Sequence, residues 1–245
     1  MSGHSKWNNI KNKKAKGDAA RSKIFTKIGR EIAVAVKAGG SDPNTNSSLF
    51  NIIQKARLAN MPNDNINRSV KKAAGELGAV QYEQQSYEGY GLGGSAVIVE
   101  CLTDNKNRTA GDVRSFFAKY GGTLGTTNCV SFMFDKKGVI TGEMTEKQNE
   151  DSIFEMALEC GAEDVQFEEE AYIIYTSVNE VSEIASCLEK KGAVLSSAEP
   201  DWLPQTTVIL EGDNLVKFRK MIETMEDCDD VQNVYHNVDL PDEEE

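Results

Sequence analysis

Between residues 139 and 197 the apolar segments follow one another as strand, helix, strand, strand, helix, strand, and few folds accept that order. Short β-branched or aromatic runs at 139–141, 164–167, 172–176 and 193–197 predict the strands. Helical spacing of Ile153, Phe154, Ala157 and Leu158 within 146–160 predicts the first helix with those four facing inward, and 181–191 predicts the second. A ferredoxin-like α+β domain is the expected result.

On either side lies half of a similar unit. A strand at 95–103 (SAVIVECLT), a helix at 107–120 with Val113, Phe116, Phe117 and Tyr120 inward, and a strand at 129–134 make one βαβ. A strand at 207–210, a helix at 214–225 built on Leu215, Phe218, Met221 and Ile222, and a strand at 231–238 make another. A lone βαβ has too small a sheet to bury its helix well, so the two halves are expected to combine into a second ferredoxin-like domain with the first inserted into it. The chain is therefore expected to be α+β and multidomain: a basic helical domain at 1–78, a discontinuous α+β domain at 79–135 plus 204–245, and the inserted α+β domain at 136–203. Residues 75–93, rich in glycine, read as the junction after the helices; Tyr82, Tyr87 and Tyr90 there suit packing at a domain boundary or base stacking.

The first 75 residues read as helices. Ile24, Phe25, Ile28, Ile32, Ala35 and Val36 form one stripe over 18–38, and Gly39 and Gly40 stop it. Asp42 followed by Pro43 reads as a cap opening a second helix that buries Leu49, Ile52, Ile53 and Ala56. Pro62 opens a third with Ile66, Val70 and Ala73 inward and Arg68, Lys71 and Lys72 on its polar side. Three helices with short connections make a small bundle.

Charge divides the chain in the same place. The net charge is −12, yet residues 1–75 hold 15 Lys or Arg against 4 Asp or Glu, and the remainder holds 12 against 35. Such segregation points to a basic module that meets a polyanion. The candidate nucleic-acid contacts are Lys6, Trp7, Lys11, Lys13, Lys14, Lys16, Arg21, Lys23, Lys27 and Arg30; the cations would displace counterions from phosphates, and Trp7 would stack on a base or pin an arm to the bundle. DNA and RNA fit this pattern alike. The acidic domains are expected to position the basic head, restrain indiscriminate binding and offer a surface to a protein partner.

Enzyme chemistry finds no support in the motifs. No phosphate loop, Gly-x-Ser-x-Gly elbow or helix-borne histidine pair occurs, and the glycines of GYGLGGS precede a strand instead of joining strand to helix. His4 and His236 stand without metal-ligand spacing, so no metal and no cofactor is expected. The acidic runs 168–170 and 226–230 read as solvated turns, with a cation site as the alternative. Cys101, Cys129, Cys160, Cys187 and Cys228 are odd in number and widely spaced, so buried thiols are expected and a disulfide frame is not. The start MSGHSKW lacks the apolar stretch of a signal peptide and no window matches a membrane span, from which a cytoplasmic location follows as the expectation.

The stretches GHSKWNNIKNKKAKGDAARSKIFTKIGREI, AGGSDPNTNSSL, NMPNDNINRSVKKA, YEGYG and NRTAGDVRSFFAKYGGTLGTTNCVSFMFDKKGVI closely resemble, in order and spacing, the YebC/PmpR family of bacterial proteins. The likeness spans nearly the whole chain. It implies a three-domain fold and a non-enzymatic role in gene expression: a transcriptional regulator that binds promoter DNA, or a ribosome-associated factor touching ribosomal or transfer RNA that helps synthesis of proline-rich stretches. Mitochondrial relatives of the family are translational activators of cytochrome oxidase. Phe50 departs from the family's commoner pattern, which has an arginine after the leucine.

Overall fold

The computed structural model describes residues 18–75, 81–146, 148–168 and 171–241. Three helices come first, α1 (Asp18–Gly39), α2 (Ser47–Leu58) and α3 (Asn63–Gly75). Ile28, Ile32, Val36, Leu49, Ala56 and Ile66 close their core. The second helix starts later than Asp42–Pro43 suggests. Asp42 accepts from the Asn44 amide in a local turn, and Asn46 becomes the cap: its Oδ1 receives Leu49 N at 3.0 Å while its Nδ2 donates to Ala35 O and Gly40 O, both at 2.8 Å. One buried amide thus starts α2 and holds the end of α1.

The remaining elements are β1 (Glu83–Tyr90), β2 (Ala96–Thr103), α4 (Lys106–Lys119), β3 (Thr123–Leu124), β4 (Phe134–Glu143), α5 (Glu150–Glu159), β5 (Asp164–Glu168), β6 (Ala171–Thr176), α6 (Val181–Lys190), β7 (Leu195–Pro204), β8 (Val208–Ile209), α7 (Gly212–Asp227), β9 (Val231–His236) and β10 (Val238–Asp239). They form two four-stranded sheets, in the orders β3-β1-β2-β9 and β5-β6-β4-β7. Every pairing in both is antiparallel, and the second order is that of a ferredoxin-like domain. Phe134 and Pro204 pair across β4 and β7, so this unit enters and leaves the chain at one place and is inserted into the other.

The outer sheet departs from expectation in detail. The strand beside β2 is β1, which lies in the stretch read as a junction, whereas residues 207–210 supply only the short β8, paired in parallel with β10. Residues 131–133 form a 3-10 turn instead of a strand, leaving β3 as the edge. The outer domain keeps the ferredoxin-like strand order with its third strand moved to the front of the chain. Val97, Val99, Phe117, Phe218 and Met225 fill the space between this sheet and α4 with α7.

In the inserted domain α5 and α6 cover one sheet face, with Ile140, Ile153, Tyr172, Ile174 and Leu188 between them. Of the four residues expected inward on α5, Ile153 and Ala157 are buried, whereas Phe154 is 50% exposed and Leu158 67%. Contrary to the expectation of free thiols, Cys160 and Cys187 form a disulfide across the ends of the two helices, which pack side by side although the cysteines lie 27 residues apart in sequence. Cys187→Ser is expected to lower stability by about 3.5 kcal/mol in oxidising buffer, the loop-closure value for that separation, and to have little effect under dithiothreitol. Paired denaturant melts check this.

Candidate nucleic-acid interface

Lys23, Lys27 and Arg30 recur at the spacing that puts them on one face of α1. That face lies on the outer domain. Lys23 Nζ meets Asp227 Oδ1 at 2.7 Å, Lys27 Nζ donates to Glu226 O at 2.8 Å, and Arg30 Nη1 donates to Asp230 Oδ1 at 2.7 Å and Leu102 O at 3.1 Å. The Arg30 guanidinium also stands over the Tyr82 ring, 5.3 Å from its centre.

Asp230 is the centre of this junction. Its second oxygen receives Arg108 Nη2 at 2.7 Å, Thr109 Oγ1 at 2.8 Å and Thr103 Oγ1 at 3.2 Å, and its side chain is 5% exposed. Burial alone would push the carboxyl up, but hydrogen bonds from Arg108, Arg30 and Thr109 outweigh it and hold the pKa down at about 2. The acidic run 226–230, expected as a solvated turn, is the surface on which the basic helix rests. Of the other run, Glu168 ends β5 and residues 169–170 lie outside the described residues.

A second contact ties the helices to the inserted domain. Lys55 Nζ on α2 lies 3.1 Å from Glu31 and 3.0 Å from Glu199 on β7. Burial disfavours its charge, yet the two carboxylates more than compensate and raise the pKa above the ordinary lysine value. The head is therefore fastened to both α+β domains.

Among the ten sequence-derived contacts, Lys6, Trp7, Lys11, Lys13, Lys14 and Lys16 lie outside the described residues, and Arg21 is exposed on α1. The other three, Lys23, Lys27 and Arg30, come together on the protein's own acidic loop. Further exposed cations of the head are Lys37 on α1, Arg57 on α2 and Arg68, Lys71 and Lys72 on α3. The α3 trio sits at i, i+3, i+4 and so shares one side of its helix. Its polar position was legible from the sequence, although not as a contact surface. Among the described residues no group of three or more His, Cys, Asp or Glu side chains converges as a metal site would, and no helix is long and apolar enough to cross a membrane.

A basic three-helix head clamped by ion pairs onto two acidic ferredoxin-like domains, one inserted in the other, defines a three-domain α+β protein. Family models described as the TACO1/YebC protein N-terminal domain and the TACO1/YebC second and third domain match residues 5–76 and 82–238. The chain belongs to the TACO1/YebC family. It is 57% identical over 238 residues to a "Probable transcriptional regulatory protein" of Acetivibrio thermocellus, covering 97% of this chain and 98% of that one. A "Probable transcriptional regulatory protein ORF2U" of Hathewaya histolytica is 53% identical, with 98% of each chain covered. Among solved structures, the conserved hypothetical protein Aq1575 of Aquifex aeolicus superposes with a TM-score of 0.83 at 45% identity, covering 94% of each chain.

Proposed function

We propose that this protein is a cytoplasmic regulator of transcription that binds DNA through its helical head and acts by binding rather than by catalysis. The observation that carries this reading is the separation of charge, with Arg57, Arg68, Lys71 and Lys72 facing outward from the head while the inner face of α1 is neutralised by the acidic loop. The names of its relatives agree. The functional units on this reading are 1–78, 79–135 plus 204–245, and 136–203. Lys6, Trp7, Lys11, Lys13, Lys14, Lys16 and Arg21 would extend the outward surface, and the acidic domains would receive a protein partner.

Binding of promoter fragments by full-length protein, followed across a salt series, tests it. Arg68→Glu/Lys71→Glu and Lys11→Glu/Lys13→Glu/Lys14→Glu are each expected to flatten the dependence of log affinity on log salt, by about 0.9 for each lost phosphate contact. Unchanged slopes in both variants would overturn the assignment of the head.

A second reading, a ribosome-associated translation factor whose head touches ribosomal or transfer RNA, is favoured by the family description, which joins TACO1 to YebC. Sedimentation of the protein from gently lysed cells separates the two. Comigration with ribosomes that the triple lysine reversal abolishes supports the translation factor; protein that stays at the top of the gradient yet retains promoter fragments supports the transcriptional one.

A further inference from the structure

The segment after β3 is fastened from several sides. Both oxygens of the buried Glu88 carboxylate on β1 accept backbone N–H groups, Asn128 at 2.9 Å on one, Val130 at 2.9 Å and Ser131 at 2.8 Å on the other. The Tyr90 hydroxyl donates to Cys129 O at 2.9 Å, and Gly125 N and Gln205 N hold the flanks through Glu88 O and Met133 O. Val130 and Phe134 are buried beside Ala96 and Ile98. Between these two anchors Phe132 turns outward and is 70% exposed, the most exposed aromatic side chain among the described residues.

We propose that Phe132 is a stacking platform for an unpaired nucleobase, with Thr126, Thr127 and Asn128 of the same loop hydrogen-bonding to the base edge. The inference rests on the nucleic-acid reading above. A phenylalanine held in water by a loop this firmly anchored meets its ligand with little ordering left to do. Its exposed companions on the loop are hydroxyls and an amide instead of further apolar groups. A protein anchor would sit within a contiguous apolar patch, and a phosphate would call for cations; a lone aromatic face among neutral donors and acceptors matches a splayed-out base, which offers one flat face and a hydrogen-bonding edge. RNA and DNA present the same chemistry.

The test uses full-length protein with single-stranded RNA and DNA oligonucleotides carrying 2-aminopurine, and a blunt duplex as control. Phe132→Ala is expected to weaken single-strand binding about 10-fold, to abolish the fluorescence change and to leave the salt slope and the duplex affinity alone, whereas Phe132→Tyr retains wild-type behaviour. The arm that shows the loss tells RNA from DNA. Phe132 lies outside the core, so thermal melting should not move. Unchanged single-strand affinity in Phe132→Ala, or an equal loss on the duplex, overturns the inference while the nucleic-acid reading stands. Wild-type protein that binds none of the three probes sinks both.

Discussion

Asp230→Ala is expected to lower stability by about 3 kcal/mol, because it strands the buried Arg30 guanidinium and three hydroxyl and guanidinium donors at a junction that this anion had neutralised. The Arg30 side chain is 16% exposed and lies 2.7 Å from Asp230, whereas Arg108 is 47% exposed and keeps Asp104 at 2.7 Å, so the cost falls chiefly on Arg30. Asp230→Asn should cost less, since the amide oxygen still accepts one bond. The pH dependence has a definite sign. The folded pKa of about 2 lies below the unfolded carboxylate value of about 3.9, so the stabilisation is complete above about pH 5 and is lost as pH falls from about 4 through 2. Denaturant melts at successive pH values should show that decline in the wild type and a flatter curve in Asp230→Ala. A variant within about 0.5 kcal/mol of wild type would mean that the junction is held elsewhere.

Glu88→Ala is expected to cost about 4 kcal/mol, the larger share of what three hydrogen bonds to a buried charge contribute when they are lost together. The Val130 N–H would be left beside an apolar cluster without an acceptor, and the half-buried N–H groups of Asn128 and Ser131 would lose theirs. Glu88→Gln should recover only part, because an amide nitrogen opposes an N–H. Hydrogen exchange is the direct measurement. Protection at Val130 and Ser131 should fall by orders of magnitude in Glu88→Ala, while Ile140 and Ile174 in the inserted domain keep theirs. Unaltered exchange at the loop would show that Tyr90 and the flanking backbone suffice.

Much of the architecture was legible from hydropathy period, because the strands of the inserted domain are apolar runs and its helices carry apolar stripes. The strand β1 was not. Its buried positions, on opposite faces of the strand, are Glu88 and Gly89, residue types that ordinarily argue against a strand. Gly89 is required by close approach: a Cβ there would stand 2.6 Å from Thr123 O and 2.8 Å from the Phe117 ring. On α5, Phe154 and Leu158 continue the apolar spacing but stay largely exposed, so periodicity overstated the buried face.

The candidate site divides the same way. That α1 is basic could be read directly. That Lys23, Lys27 and Arg30 rest on the protein itself could not, because their partners lie about 200 residues along the chain. One signal was present: three cations spaced to share a helical face, and an acidic run, EDCDD, long enough to receive them. The loop around Phe132 left no such trace. Its order owes most to one carboxylate about 40 residues upstream, joined by the Tyr90 hydroxyl and flanking backbone bonds, and spacing carries no record of any of them.

Insertion of one domain into another also sets a schedule. The outer sheet pairs Val97 with His236, so β2 has no β9 beside it until almost the whole chain has left the ribosome, whereas the inserted domain is complete once Pro204 has emerged. The guest can therefore fold before its host. Asp230 belongs to the same late segment, and until it is made Arg30 has no anion to hold it. A newly made head thus passes through a period in which the whole basic face of α1 is uncovered, and closing the last strand also quenches that charge.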